Sequence, residues 1–152
     1  MTPKGSDYPT TVTIGDKYFE SYNTWSNTKY CHGFNMALGG STAKGFQTLV
    51  DTVPLACKAL SGSKFYAFEY GNEPNLYAPK VRPSSWDVNT YVSQWKNGTD
   101  EIVALVKKHC SGMAATFMGP SFSGPDDGFA ASDAFSDGFD GNGDVKYFSS
   151  HK

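Results

Sequence analysis

Two kinds of apolar pattern alternate along this chain, short continuous runs and longer stretches with a helical period. Runs at 10–14, 29–36, 65–68, 114–118 and 145–149 read as strands, the third bounded by Gly62 and Gly71 and the fourth ended by Gly119-Pro120. Between the second and third runs, Phe46, Leu49, Val50, Val53, Cys57 and Leu60 fall on one helical face. Ser41 is placed to cap that helix, Pro54 to remove a backbone bond and kink it, and Gly62 to end it. A longer helix follows, capped by Ser85, with Val88, Tyr91, Val92, Trp95, Ile102, Val103, Val106 and Cys110 on its apolar face. Asp87 near its start and Lys107, Lys108 and His109 near its end suit the helix dipole, and Gly98 is a point where it bends. Residues 18–25 read as a brief helix or turn, 130–139 as a third helix, and 1–9 as a loose polar stretch.

Strand and helix in alternation define an α/β chain whose strands run parallel through crossover helices. At 152 residues it can bury one core, but a complete (β/α)8 barrel needs about 250. A net charge of −2 with no basic stripe argues against a nucleic-acid partner, and no apolar run is long enough to span a membrane. No apolar segment follows Met1, so no signal peptide is expected. Cys31, Cys57 and Cys110 form an odd set without a Cys-x-x-Cys spacing, which predicts small buried thiols, with one bridge at most. Asn97-Gly98-Thr99 is a glycosylation sequon. Asp140-Gly-Asn142-Gly-Asp144 has the look of a calcium loop, but Val145 stands where its turn glycine belongs, so a solvated acidic loop is expected. No cofactor or metal motif is present.

Chemistry concentrates after the third run, where Asn72-Glu73-Pro74 follows directly. In parallel sheets and barrels the C-terminal strand edge is where active sites are built. Pro74 excludes the helical region for Glu73 and predicts an extended backbone there. A carboxylic acid in a half-buried cleft can protonate a leaving oxygen and later accept a proton from water. Glu69, four residues earlier, lies within the strand and reads as a buried, hydrogen-bonded structural carboxylate. His32, Asn35 and His151 each fall near a strand end and are candidate binding residues. Aromatic residues make up 15% of the chain, and core packing accounts for most, with Trp25 and Tyr77 the better candidates for a cleft.

Three blocks carry a resemblance. Tyr18-Phe19-Glu20-Ser21-Tyr22-Asn23-Thr24-Trp25, then Lys29-Tyr30-Cys31-His32-Gly33-Phe34-Asn35, then Phe68-Glu69-Tyr70-Gly71-Asn72-Glu73-Pro74 resemble fungal members of glycoside hydrolase family 79. These β-glucuronidase-like enzymes are retaining (β/α)8-barrel glycosidases, and the resemblance spans residues 12–151. It implies a single partial catalytic domain over 1–152, corresponding to about strands three to six of the barrel. Glu73 would be the acid/base, and Asn72 would bind the sugar's 2-hydroxyl. His32, Asn35 and His151 would line the substrate pocket. The nucleophile of this family closes a seventh strand, outside this chain, so the polypeptide alone is expected to be inactive. In the family, Ser-His is usually followed by Asn-Tyr, whereas here Lys152 follows His151. The resemblance also implies a secreted protein acting on a glucuronide or glycan, with self-association possible through open strand edges. The alternatives are a non-catalytic half barrel that binds carbohydrate or another partner, and an unrelated small α/β protein.

Overall fold

A computed structural model describes residues 13–39, 42–124 and 127–151. Four strands, β1 (Tyr30–Phe34), β2 (Phe65–Tyr70), β3 (Phe117–Phe122) and β4 (Val145–Ser150), form one all-parallel sheet in the order β1-β2-β3-β4. The first expected strand falls largely outside the described residues, and residues 13–15 have no regular structure. Helix α1 (Asp16–Glu20) and a 3-10 turn (Ser21–Asn23) precede β1, and α2 (Met36–Gly39) and α3 (Ala43–Ala59) follow it. Helix α4 (Val88–His109) connects β2 to β3, and α5 (Ala131–Ser136) connects β3 to β4. Sequential neighbours, all parallel, are the order that an arc of a barrel has.

The sheet has two unlike faces. In β1, His32 and Phe34 are buried while Cys31 and Gly33 are exposed. Phe34, Phe68 and Phe117 pack with Leu49, Val53 and Cys57 of α3 and with Tyr91, Trp95, Ile102 and Val106 of α4 in one core. Register pairs Gly33 with Glu69 and Glu69 with Met118, so these share the opposite face. On that side Tyr66 stacks on Tyr147 with ring centroids 4.5 Å apart, and both rings are exposed.

Several expectations need correction. Asp87, not Ser85, caps α4: its side chain accepts from the Thr90 N–H at 2.8 Å, as a short carboxylate in extended backbone does. Thr42 caps α3 through the Gly45 N–H, and Ser41 lies outside the described residues. Met36 opens α2 and is not part of a strand. Strand β3 starts at Phe117 and runs through Gly119-Pro120 instead of ending there. The register to β4 shifts between Pro120 and Phe122, an irregularity that accommodates a residue with no N–H to donate. Gly98 does not interrupt α4; it is buried where an added Cβ would lie 2.3 Å from the Tyr70 ring. Its absent side chain lets the helix approach the sheet.

The cysteines are the largest departure. Cys57 near the end of α3 and Cys110 at the end of α4 form a disulfide, with Cα atoms 5.2 Å apart, and Cys31 is the free thiol. The two lie 53 residues apart, and only the packing of the helices brings them together. In the sequon, Asn97 is exposed, while Thr99 is fully buried and donates its hydroxyl to the Trp95 carbonyl at 3.0 Å.

Candidate active site

Strand β2 delivers the Asn72-Glu73 pair to the C-terminal edge of the sheet. Gly71 follows the strand at φ 93°, and a Cβ there would press to 3.1 Å on Met36, so this bend needs glycine. The chain then enters a 3-10 turn, Pro74–Leu76, tied down from two sides. Trp86 donates its indole N–H to the Pro74 carbonyl at 2.8 Å. Asn75 is buried; its amide donates to Ser123 Oγ at 3.0 Å and to the Asp127 carbonyl at 2.6 Å, and its oxygen accepts from the Ser123 N–H at 3.1 Å. These bonds lock the loop after β2 to the loop after β3. Arg82 is buried over the rings of Tyr77 and Trp86 and donates to the carbonyls of Met36, at 2.7 Å, and Ala37. It fastens the same loop to α2.

Glu73 does not have the extended backbone that Pro74 predicts. It is left-handed, at φ 49° and ψ 49°. Proline disfavours the right-handed helical region for its predecessor, and here a hydrogen bond from the Glu73 N–H to the Ser121 carbonyl, 2.9 Å, selects the left-handed alternative. A non-glycine residue in that region carries strain of about 1–3 kcal/mol, which the surrounding bonds must offset. The Glu73 side chain lies with Oε1 2.9 Å from His151 Nδ1, and both side chains are about a third exposed, at 36% and 34%. His151 is itself placed by its backbone N–H, which donates to the Phe122 carbonyl at 2.8 Å. The carboxylate is therefore fixed yet reachable from solvent.

The remaining candidates separate. Asn72 and Asn35 line one cavity of about 320 Å³ together with Gly33, Glu69, Gly71 and Tyr77. Asn35 also accepts from the Leu38 N–H at 3.2 Å, at the start of α2. His32 is 3% exposed, enclosed by Phe19, Phe34 and Phe68, with Nδ1 2.7 Å from the Tyr22 hydroxyl. Burial pushes its pKa down to about 4, so the ring is neutral near pH 7. The structure does not bring it to Glu73. Of the two aromatic residues expected at a cleft, Trp25 is exposed and Tyr77 is buried against Trp86. Glu69 is half-buried and accepts from Ser121 Oγ at 2.6 Å. In the acidic loop, Asp140 accepts from the Val145 N–H at 3.0 Å and Asn142 donates to Asp100 at 2.6 Å. Among the described residues, no group of three or more His, Cys, Asp or Glu side chains is arranged to hold a metal ion.

Sequence reasoning missed Ser121, Asn75 and Arg82, all of which position the Glu73 loop. Their signal was weak. A serine after Gly-Pro, an asparagine in a turn and an arginine in a polar loop are each commonplace.

No protein-family model matches the chain. It is 46% identical over 156 aligned positions, covering 97% of this chain, to a protein of Neurospora crassa, and 40% identical over 129, covering 82%, to one of Aspergillus niger. The parallel α/β architecture and the carboxylate at a strand's C-terminal edge go together with a likeness to glycosidases. Both relatives are curated as β-glucuronidase, and the chain is homologous to these fungal proteins along most of its own length. It spans about a quarter of their length, 28% and 24% respectively.

Proposed function

We propose that this chain carries the acid/base part of a retaining β-glycosidase that hydrolyses O-glycosidic bonds of glucuronic-acid-type sugars. The observation that carries the reading is the Asn72-Glu73 pair at the end of a parallel strand, in a chain so close to curated β-glucuronidases. The four strands then correspond to strands three to six of a (β/α)8 barrel. Glu73 protonates the leaving glycosidic oxygen, then takes a proton from the water that releases the sugar. His151 holds one oxygen of the carboxylate, and the proton moves through the other. Asn72 hydrogen-bonds the sugar's 2-hydroxyl, a contact that strengthens in the transition state. Asn35 contributes to the same pocket. The nucleophile, required about 5–5.5 Å from the acid/base, comes from the further length of chain that the relatives possess.

Location and assembly follow the same reading. A buried disulfide favours an oxidising compartment and supports secretion. Strands β1 and β4 form the edges of the sheet among the described residues, which supports pairing with further strands or with a second copy.

The test replaces the matching segment of the Neurospora crassa enzyme with this chain and follows hydrolysis of an aryl β-glucuronide. The graft should turn over, the chain alone should not, and Glu73→Gln in the graft should lower kcat/KM by about a hundredfold or more. Turnover undiminished by Glu73→Gln would refute the assignment. A graft that binds the glucuronide without turnover would favour a carbohydrate-binding role.

A further inference from the structure

Among the described residues, the two non-glycine residues with positive φ are Glu73, at 49°, and Ser121, at 55°. They are bonded to each other, since the Glu73 N–H donates to the Ser121 carbonyl. Two left-handed residues in contact each need an outside hold, because the Cβ disfavours the conformation. Ser121 sits where the β3–β4 register shifts, so the ladder does not set its geometry. Its side chain does. Fully buried, the Ser121 hydroxyl donates to Glu69 Oε1 at 2.6 Å and also meets Ser149 Oγ on β4. A hydroxyl has one proton to give. With that proton on the Glu69 carboxylate, Ser149 becomes the donor to Ser121, and three strands are joined in one directed chain.

We propose that Glu69 is a positioning residue for Glu73. Through the Ser121 hydroxyl it fixes the left-handed residue whose carbonyl carries the Glu73 amide. The functional meaning rests on Glu73 being the acid/base, but the hold itself does not. In this role Glu69 acts through Ser121 on the neighbouring strand end.

The experiment is residue-resolved amide hydrogen exchange by NMR on the chain, with 13C shifts of Glu73 reporting its backbone conformation. Glu69→Leu removes the acceptor and should raise exchange at the Glu73 amide by about tenfold, the size of one buried hydrogen bond to a charged group. Glu69→Gln keeps an acceptor oxygen and should stay within about twofold of the parent. Ser121→Ala should behave like Glu69→Leu. Ser121→Gly, which adopts positive φ without help, should recover most of that protection. Amides 91–102 of α4 serve as the reference and should not change, which separates a local effect from global unfolding. Should Glu69→Leu fail to fold, the Ser121→Ala and Ser121→Gly pair decides alone. Unchanged Glu73 exchange in Ser121→Ala, or no recovery in Ser121→Gly, would overturn the proposal. Hydrolysis is not read, so an inactive graft would count against the acid/base role and leave this result standing.

Discussion

Glu73 Oε1 lies 2.9 Å from His151 Nδ1, across 78 residues of sequence. The carboxylate comes from the end of β2 and the imidazole from just beyond β4, so the contact passes over the end of β3. A single interaction thus reports the closure of three strands and the orientation of the carboxylate.

Removing that imidazole should loosen the carboxylate without displacing its backbone. In the graft, His151→Ala should lower kcat/KM toward an aryl β-glucuronide by about tenfold to a hundredfold, the range for a hydrogen bond to a charged group. His151→Gln, which keeps an N–H donor, should recover part of the loss. Equal activity in all three proteins would show that the contact is incidental.

Stability should fall in acid because of His32. Its folded pKa of about 4 lies below the ordinary value of 6.5, and burial is the cause. The unfolded chain therefore binds more protons between these values. Stability from this group is complete above pH 6.5 and is lost progressively as pH falls to about 4, by about 3 kcal/mol. Urea denaturation from pH 7 to pH 4 measures this, and His32→Asn should flatten that part of the profile.

Reducing the Cys57–Cys110 bond should destabilise the chain by about 4 kcal/mol in the loop-entropy picture, given the 53-residue separation. Denaturation with and without dithiothreitol gives the difference directly. Cys31→Ser should leave it unchanged, since Cys31 is free.

Gly98→Ala sets two effects against each other. Alanine favours the helix by about 1 kcal/mol, but its Cβ would meet the Tyr70 ring at 2.3 Å. Tyr70 is buried and cannot swing aside, so overpacking should win, with a net loss of about 1–2 kcal/mol. Adding Tyr70→Leu should return much of it. A stabilised Gly98→Ala in a urea melt would contradict this packing.

The elements were legible where period and punctuation agreed. Strand β2 and the apolar faces of α3 and α4 stand where their patterns put them, because each buries its stripe in one core. Boundaries failed where chemistry beyond periodicity decided. The rule that proline ends a strand did not hold at Pro120, where the ladder shifts register. The cap of α4 went to the carboxylate nearest the first free N–H groups. The disulfide was illegible because nothing local marks two cysteines 53 residues apart. At the site, the sequence pointed to Glu73 and Asn72, and it nominated His151 without its partner. The left-handed backbone of Glu73 was hidden, since it depends on a carbonyl from another strand.

The buried hydroxyl of Thr99 sets an order of events. Glycan transfer to Asn97 requires the sequon's threonine to be within reach, and in the folded helix that hydroxyl is turned inward onto Trp95. Coiling of α4 and sugar addition therefore compete for the same three residues. Any glycan on Asn97 dates from before the helix formed, and its occupancy would act as a clock on how fast this stretch folds.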